Sequence, residues 1–299
     1  MISQNAWILT SVILAIVVAF DFTWAVLRRN QNTSLKEASI WSVFYVSLAI
    51  AFGIHLGTWT DSQTQQEFFA GWLTEYSLSF DNLFVFVIIL TRLKIEEKSK
   101  QLALLLGILI ALVFRIIAIT IGAAAIKQFE WIFFLFGAFL IYTAVHLFLE
   151  SSHEKNQEEK ESRLISYLSA KGMKPFTIAL IALGATDILF ALDSIPAIFG
   201  LTENVYVVVT ANVFALMGLR QLYFLIGGLM QRLVYIGKGL SVILGFIGIK
   251  LLFHAFHAVD IHKIGGFKIP DITITQSLTV IVSCLAVATI ASLVKTSRK

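Results

Sequence analysis

Apolar positions along this chain come in blocks rather than in alternation. Runs of about 20 residues, the length that crosses about 30 Å of hydrocarbon at 1.5 Å per residue, are separated by short polar stretches. Nine such runs fall at roughly 5–27, 38–58, 67–91, 102–125, 130–149, 175–198, 204–228, 233–255 and 274–294. A transmembrane β-barrel would show short segments of alternating hydropathy instead. The pattern predicts an all-α polytopic membrane protein of about nine transmembrane helices, with residues 1–299 as a single transmembrane domain. The first run, MISQNAWILTSVILAIVVAF, lacks the basic start and small-residue cleavage site of a signal peptide, so it reads as a retained first span.

The polar stretches predict orientation. Basic residues follow the first span (Arg28, Arg29, Lys36), the third (Arg92, Lys94, Lys98, Lys100) and the fifth (Lys155, Lys160, Arg163, Lys171, Lys174). They also follow the seventh (Arg232, Lys238) and the last (Lys295, Arg298, Lys299). The opposite loops hold only Lys127, Lys263 and Lys268. Because cytoplasmic loops collect Lys and Arg, the N-terminus is expected outside and the C-terminus inside. Residues 150–174, mixed in charge, read as a solvated and partly helical cytoplasmic linker.

On either side of that linker the chain repeats itself. EYSLSFDN, with Glu75 six residues before Asp81, matches DILFALDS, with Asp187 six before Asp193. In the next span Arg115 precedes Gly122 by seven residues, as Arg220 precedes Gly227. In the third, His146 corresponds to Lys250. The offsets of 112, 105 and 104 residues define a repeat of three helices, half A at 67–149 and half B at 175–258, with 274–294 as the last helix. Three is odd, so the second copy should run through the membrane in the opposite sense. Such inverted repeats are common in secondary transporters, with the site near the midplane between the halves.

Composition sharpens the picture. The chain is 58% hydrophobic and only 14% charged, against about 25% charged in ordinary soluble domains. Its positive net charge lies in loops where topology accounts for it, so no nucleic-acid partner is implied. One cysteine, Cys284, cannot make an intrachain disulfide, and there is no CxxC for redox or zinc chemistry. No GxxxxGK[ST] motif offers an ATP site.

The informative residues are the charges inside the spans: Asp21, Glu75, Asp81, Asp187, Asp193, Arg115, Arg220 and Lys250, with His146 as a further ionisable group. Each charge at a helix centre costs roughly 2.5–3.5 kcal/mol on insertion scales. They are therefore expected to pair, to meet a cation, or to line a wet cavity. Four acids in equivalent positions, with Asn82 and Ser194 beside two of them, favour a hard or borderline divalent cation. The candidate metal set is Glu75, Asp81, Asn82, Asp187, Asp193 and Ser194. Arg115, Arg220, Lys250 and His146 are candidates for gating or ion pairing, and the bland alternative is that the arginines merely neutralise acids across helices. Lys250 could compete with a metal as a displaced cation, and His146 could titrate near neutral pH. Asn212 and His254 are secondary candidates.

Residues six apart on a straight helix are turned by about 240°. Glu75 and Asp81 thus either serve different partners or lie on an interrupted helix. Pro196 is the expected interruption in the second copy, freeing the Leu192 carbonyl. Asp21 is expected near the cytoplasmic end of its span, in a structural role. The cluster HAFHAVDIHK, with His254, His257, Asp260 and His262, is expected in the loop after the eighth span, as interfacial histidines rather than a sharp metal motif.

GWLTEYSLSFDNLFVF, ATDILFALDSIPAIFGLT, TANVFALMGLRQLYFLIGG and GFIGIKLL together resemble the TerC family of integral membrane proteins, over nearly the whole chain. The resemblance implies a bacterial inner-membrane protein of a LysE-like transporter superfamily, in metal-ion homeostasis, with manganese efflux as the leading activity. By motif it implicates Glu75, Asp81, Asp187 and Asp193. His146 departs from the lysine expected there.

The reading is a secondary transporter, not an enzyme, exporting Mn²⁺ or a similar divalent cation with protons as the coupling ion. It has no permanently bound cofactor, its partners are the bilayer, the ion and protons, and a homo-oligomer is compatible with it. The alternative is a non-transporting membrane component of a tellurite-resistance or stress and redox-modulating complex.

Overall fold

Local signals at the ends of the apolar runs set where helices begin. Helix α1 spans Gln4–Leu27. Ser34 opens α2 (Leu35–Trp59) by accepting the Glu37 amide at 3.2 Å, the Ser-x-x-Glu start of a capping box. Asp61 opens α3 (Ser62–Arg92) by accepting the Thr64 amide at 2.7 Å. That hydrogen bond holds the exposed Asp61 carboxyl below its usual range. Helices α4 (Glu97–Gln128) and α5 (Ile132–Leu149) follow. Residues 164–170 form a short helix, α6, that ends at Gly172. There φ is +74°, the left-handed turn that glycine adopts without a Cβ penalty.

Pro175 starts α7 (Pro175–Phe199) at a position where its missing N–H costs nothing. Asn204 caps α8 (Val205–Met217), and α9 (Leu219–Leu229), α10 (Ile236–Ala258) and α11 (Ile274–Ser297) complete the helices. A two-stranded antiparallel ribbon, β1 (Lys263–Ile264) and β2 (Phe267–Lys268), lies between α10 and α11.

This computed structural model describes residues 3–27, 34–129, 131–149, 164–229, 234–264 and 267–297. The linker expected at 150–174 falls outside the described residues up to position 163, as do the side chains of Asp81 and Asn82. Among the described residues nine helical stretches are long and apolar enough to cross a membrane, in agreement with the hydropathy blocks.

Two expectations change. The seventh run is two helices, α8 and α9, divided at Gly218. Conversely, α7 passes through Pro196 to Phe199 and α3 is continuous, so neither acidic motif lies on a broken helix. Pro196 sits in the last turn of α7; it still lacks an N–H for the Leu192 carbonyl, but the helix continues through it to Phe199.

Helix α5 packs along α10, α3 against α8 and α7, and α4 against α7 and α8. α2 lies on α9 and α3, and α1 touches α4 and α8. The α5–α10 contact is close: a Cβ added at Gly248 would lie 3.0 Å from the Gly137 carbonyl oxygen, and one at Gly137 would lie 2.9 Å from that of Gly248. Without a hydrophobic drive between helices in lipid, small residues that admit close backbone approach favour such pairings. Outer positions such as Ile16, Ile54, Ile121 and Val287 leave their side chains exposed, as lipid-facing residues do. The buried interior gathers on α3, α7 and α8.

Candidate functional site

Arg115 of α4 is the hub of this interior and is fully buried. Its guanidinium meets Asp187 of α7 as a fork, with Nε donating to Oδ2 at 3.1 Å and Nη2 donating to Oδ1 at 3.1 Å. Such bidentate pairs fix geometry as well as charge. Nη1 pairs with Glu75 of α3, and it also donates to Ser194 Oγ at 3.3 Å and Asn212 Oδ1 at 3.1 Å. Side chains of three other helices, α3, α7 and α8, thus converge on this one side chain of α4. The Asn212 amide donates to the Val208 carbonyl at 3.1 Å, which turns its oxygen toward Arg115. Ser79, one turn past Glu75, donates to Glu75 Oε1 at 3.1 Å, while the buried Glu75 Oε2 has no hydrogen-bond partner.

Charge does not balance in this cluster. Two carboxylates share one guanidinium, so with both acids ionised the group carries a net negative charge. An unpaired buried charge in low dielectric is costly. The cluster is therefore suited to taking up a further positive charge, as a proton or a metal cation.

The other expected site residues are distributed around it. Asp193 is half-buried on α7 and accepts from the Thr143 hydroxyl of α5 at 3.2 Å. Asp81 and Asn82 lie on the continuous α3, with side chains outside the described residues. Among the described residues no three His, Cys, Asp or Glu side chains gather as a preformed metal site. Arg220 is not in the central cluster. Its Nη2 donates to Asp21 Oδ1 of α1 at 2.6 Å, and the Tyr45 hydroxyl of α2 donates to the same oxygen at 2.6 Å. The Arg220 Nε is buried with no hydrogen-bond partner.

His146 and Lys250 do not join the cluster either. His146 packs its ring on Tyr142, with centroids 5.8 Å apart. Lys250 feels the charges of Glu67 and Asp271. Glu67 in turn accepts from the Thr202 hydroxyl at 2.5 Å and from the Gln63 amide at 3.0 Å. The histidine cluster is corrected: α10 runs on to Ala258, so His254 and His257 belong to its last turns, not to a loop. His254 faces Glu203 at 3.1 Å, and this hydrogen bond is the main reason the Glu203 carboxyl lies below its usual range.

Sequence reasoning missed Glu67, Tyr45, Thr143 and Ser79. Glu67 was legible: the Asp61 cap starts α3 five residues before the apolar run, which places Glu67 inside the helix. The three hydroxyls carry no such signal, because Ser, Thr and Tyr are ordinary in membrane helices and only packing tells which acid each one meets.

Residues 60–299 match the family described as "Integral membrane protein TerC family". An uncharacterized membrane protein of Mycobacterium tuberculosis is 42% identical, the alignment covering 97% of this chain and 79% of that protein. An uncharacterized membrane protein of Myxococcus xanthus is 37% identical over 90% of this chain and 86% of its own length. A protein of Escherichia coli (strain K12) named "Putative membrane-bound redox modulator Alx" is 33% identical over 84% of this chain and 86% of its own. No solved structure matches.

Proposed function

The chain belongs to the TerC family of integral membrane proteins, and on that footing we propose that it is a secondary transporter exporting divalent metal cations, Mn²⁺ first among them, in exchange for protons. The observation that carries this reading is the surplus of buried carboxylate around Arg115. Glu75 and Asp187 share one guanidinium, and one Glu75 oxygen has no hydrogen-bond partner. The neutral oxygens of Ser79, Ser194 and Asn212 sit beside them. Carboxylate and neutral oxygen suit Mn²⁺, Mg²⁺ or Ca²⁺ better than thiophilic metals.

In this reading Arg115 is the resident cation of the acid pair when the metal is elsewhere. An arriving divalent ion would take over the Glu75 and Asp187 oxygens and push the guanidinium toward Ser194 and Asn212. Asp193, with Thr143, would form the next station along α7. Protons returning to the same carboxylates would lower their hold on the metal, which is the physical basis of antiport. An inverted repeat is supported by the packing. Exchanging the two halves turns the α3–α8 contact into the α7–α4 contact and leaves α5–α10, α3–α7 and α4–α8 in place. Rocking of the two halves against each other would supply alternating access.

The second reading, a non-transporting component of a redox-modulating or tellurite-resistance complex, is favoured by the name of the Escherichia coli relative. Cys284, half-buried and the one cysteine of the chain, gives it little chemistry to work with.

Manganese content of cells grown in excess Mn²⁺ separates the two. Under the transporter reading, expression lowers cellular Mn²⁺, and Asp187→Asn and Asp193→Asn abolish the effect with Asp193→Asn protein still at wild-type level. Under the second reading cellular Mn²⁺ is unchanged by expression, and the variants act through protein level.

A further inference from the structure

The two arginines that correspond in the repeat have different partners. Arg115 sits on Glu75 and Asp187, whereas Arg220 sits on Asp21 of α1, whose same oxygen also accepts from the Tyr45 hydroxyl of α2. Exchanging the halves converts Glu75 into Asp187 and Asp187 into Glu75, so the acid pair maps onto itself. The same exchange converts Arg115 into Arg220. The acid pair therefore has two symmetry-related guanidiniums that could occupy it, and this structure shows one of them in place.

Three observations bear on how Arg220 is held. Gly218, two residues before it, lies between Tyr45 and Tyr76, the neighbour of Glu75, each 3.6 Å from where a Gly218 Cβ would be. Helices α8 and α9 meet at that glycine, whose backbone keeps right-handed helical dihedrals, while the corresponding stretch of α4 is one uninterrupted helix. The buried Arg220 Nε is left without a hydrogen-bond partner on the Asp21 seat. The acid pair gives Arg115 a bidentate partner at the corresponding atoms.

We propose that Asp21, with Tyr45, is a positioning residue that holds Arg220 off the Glu75–Asp187 pair, and that Arg115 and Arg220 alternate at this pair in the two access states. Helix α1 lies outside the stretch matched by the family, so this assigns α1 and α2 a part in the cycle rather than a purely supporting place. The inference rests on the repeat and alternating-access reading above. Its physical basis is competition: with Arg220 tied to Asp21 the seat belongs to Arg115, and weakening that tie raises the share of the state in which Arg220 takes it.

The test uses paired reporter cysteines at repeat-related buried positions, Leu83→Cys and Ile195→Cys, each in a Cys284→Ser background of the full chain in vesicles. Maleimide reaction rates at the two positions report which end of the site is open to water, and neither metal nor flux is needed. Asp21→Asn is expected to change the ratio of the two rates by about fivefold or more. Tyr45→Phe is expected to shift it in the same direction by less. Adding Arg220→Gln to Asp21→Asn should restore the wild-type ratio, since no second arginine is then left to move. A merely structural ion pair would lower the melting temperature in Asp21→Asn and leave the ratio alone. If the ratio is unmoved in folded Asp21→Asn, the inference is overturned; should that variant fail to fold, an unmoved ratio in Tyr45→Phe overturns it equally. Because the readout is conformational, a protein that moves no metal can still pass this test, and a working transporter can still fail it.

Discussion

At the scale of single residues, the question is why so much charge is tolerated where water is scarce. Arg115 answers part of it, because a planar fork can pair with two carboxylates and donate to two neutral oxygens at once. Arg115→Met would leave Glu75 and Asp187 buried, close and unpaired. Removing one partner of a buried pair typically costs about 3–5 kcal/mol. The expected outcome is a large fall in the melting temperature of the purified protein in detergent. Lowering the pH should partly recover it, as protons take the place of the guanidinium. The four acids and two arginines were legible in the sequence, since any charge within an apolar run demands an explanation. Which acid meets which arginine was not legible. The six-residue spacing of Glu75 and Asp81 allowed a broken helix, but the structure keeps α3 whole and aims Glu75 at Arg115. Likewise Arg220 has a motif identical in kind to that of Arg115, and only packing reveals that it goes to Asp21.

At the scale of elements, glycines decide how closely helices approach and where they bend. A Cβ at Gly248 would fall 2.9 Å from the Ile141 side chain and 3.1 Å from the Ile141 amide nitrogen. Backbone cannot yield as a flexible side chain can. Gly248→Val is therefore expected to force α5 and α10 apart, at the roughly 1–3 kcal/mol typical of overpacking, seen as reduced protein level and a lower melting temperature. Gly218 is the opposite case, because its nearest neighbours stand at 3.6 Å and leave room for a methyl group. Gly218→Ala favours a continuous α8–α9 by about 0.5–1 kcal/mol of helix propensity. It should leave the fold intact or firmer while slowing turnover, if the joint is used in the cycle. Element positions were largely readable because hydropathy blocks and caps agree. The break at Gly218 was not, because a lone glycine in an apolar run is no more conspicuous than the many that do not interrupt a helix. Pro196 was conspicuous and misleading, for the one backbone bond it removes, to the Leu192 carbonyl, does not end α7.

At the scale of the whole molecule, nine helical stretches among the described residues are long and apolar enough to cross a membrane, and the chain is an integral membrane protein with bacterial relatives. The exchange-symmetric packing of α3, α4, α5 with α7, α8, α10 supports two halves built alike, and the acid cluster lies where they meet. The proposed repeat rests on the order acid, acid, arginine, base in successive runs. Its closing contact, α5 on α10, depends on Gly137 and Gly248, which the sequence does not distinguish from other glycines. The proposed transport carries a divalent ion through the Glu75–Asp187 pair in exchange for protons. Its most direct test is Mn²⁺ uptake into proteoliposomes, comparing wild type with Glu75→Gln and Asp193→Asn, with and without an acidic lumen. The account predicts uptake by wild type, faster when the lumen is acidic, and loss in both variants at equal protein content. Folded wild-type protein that moves no divalent cation under any gradient, or variants that transport as well as wild type, would contradict it.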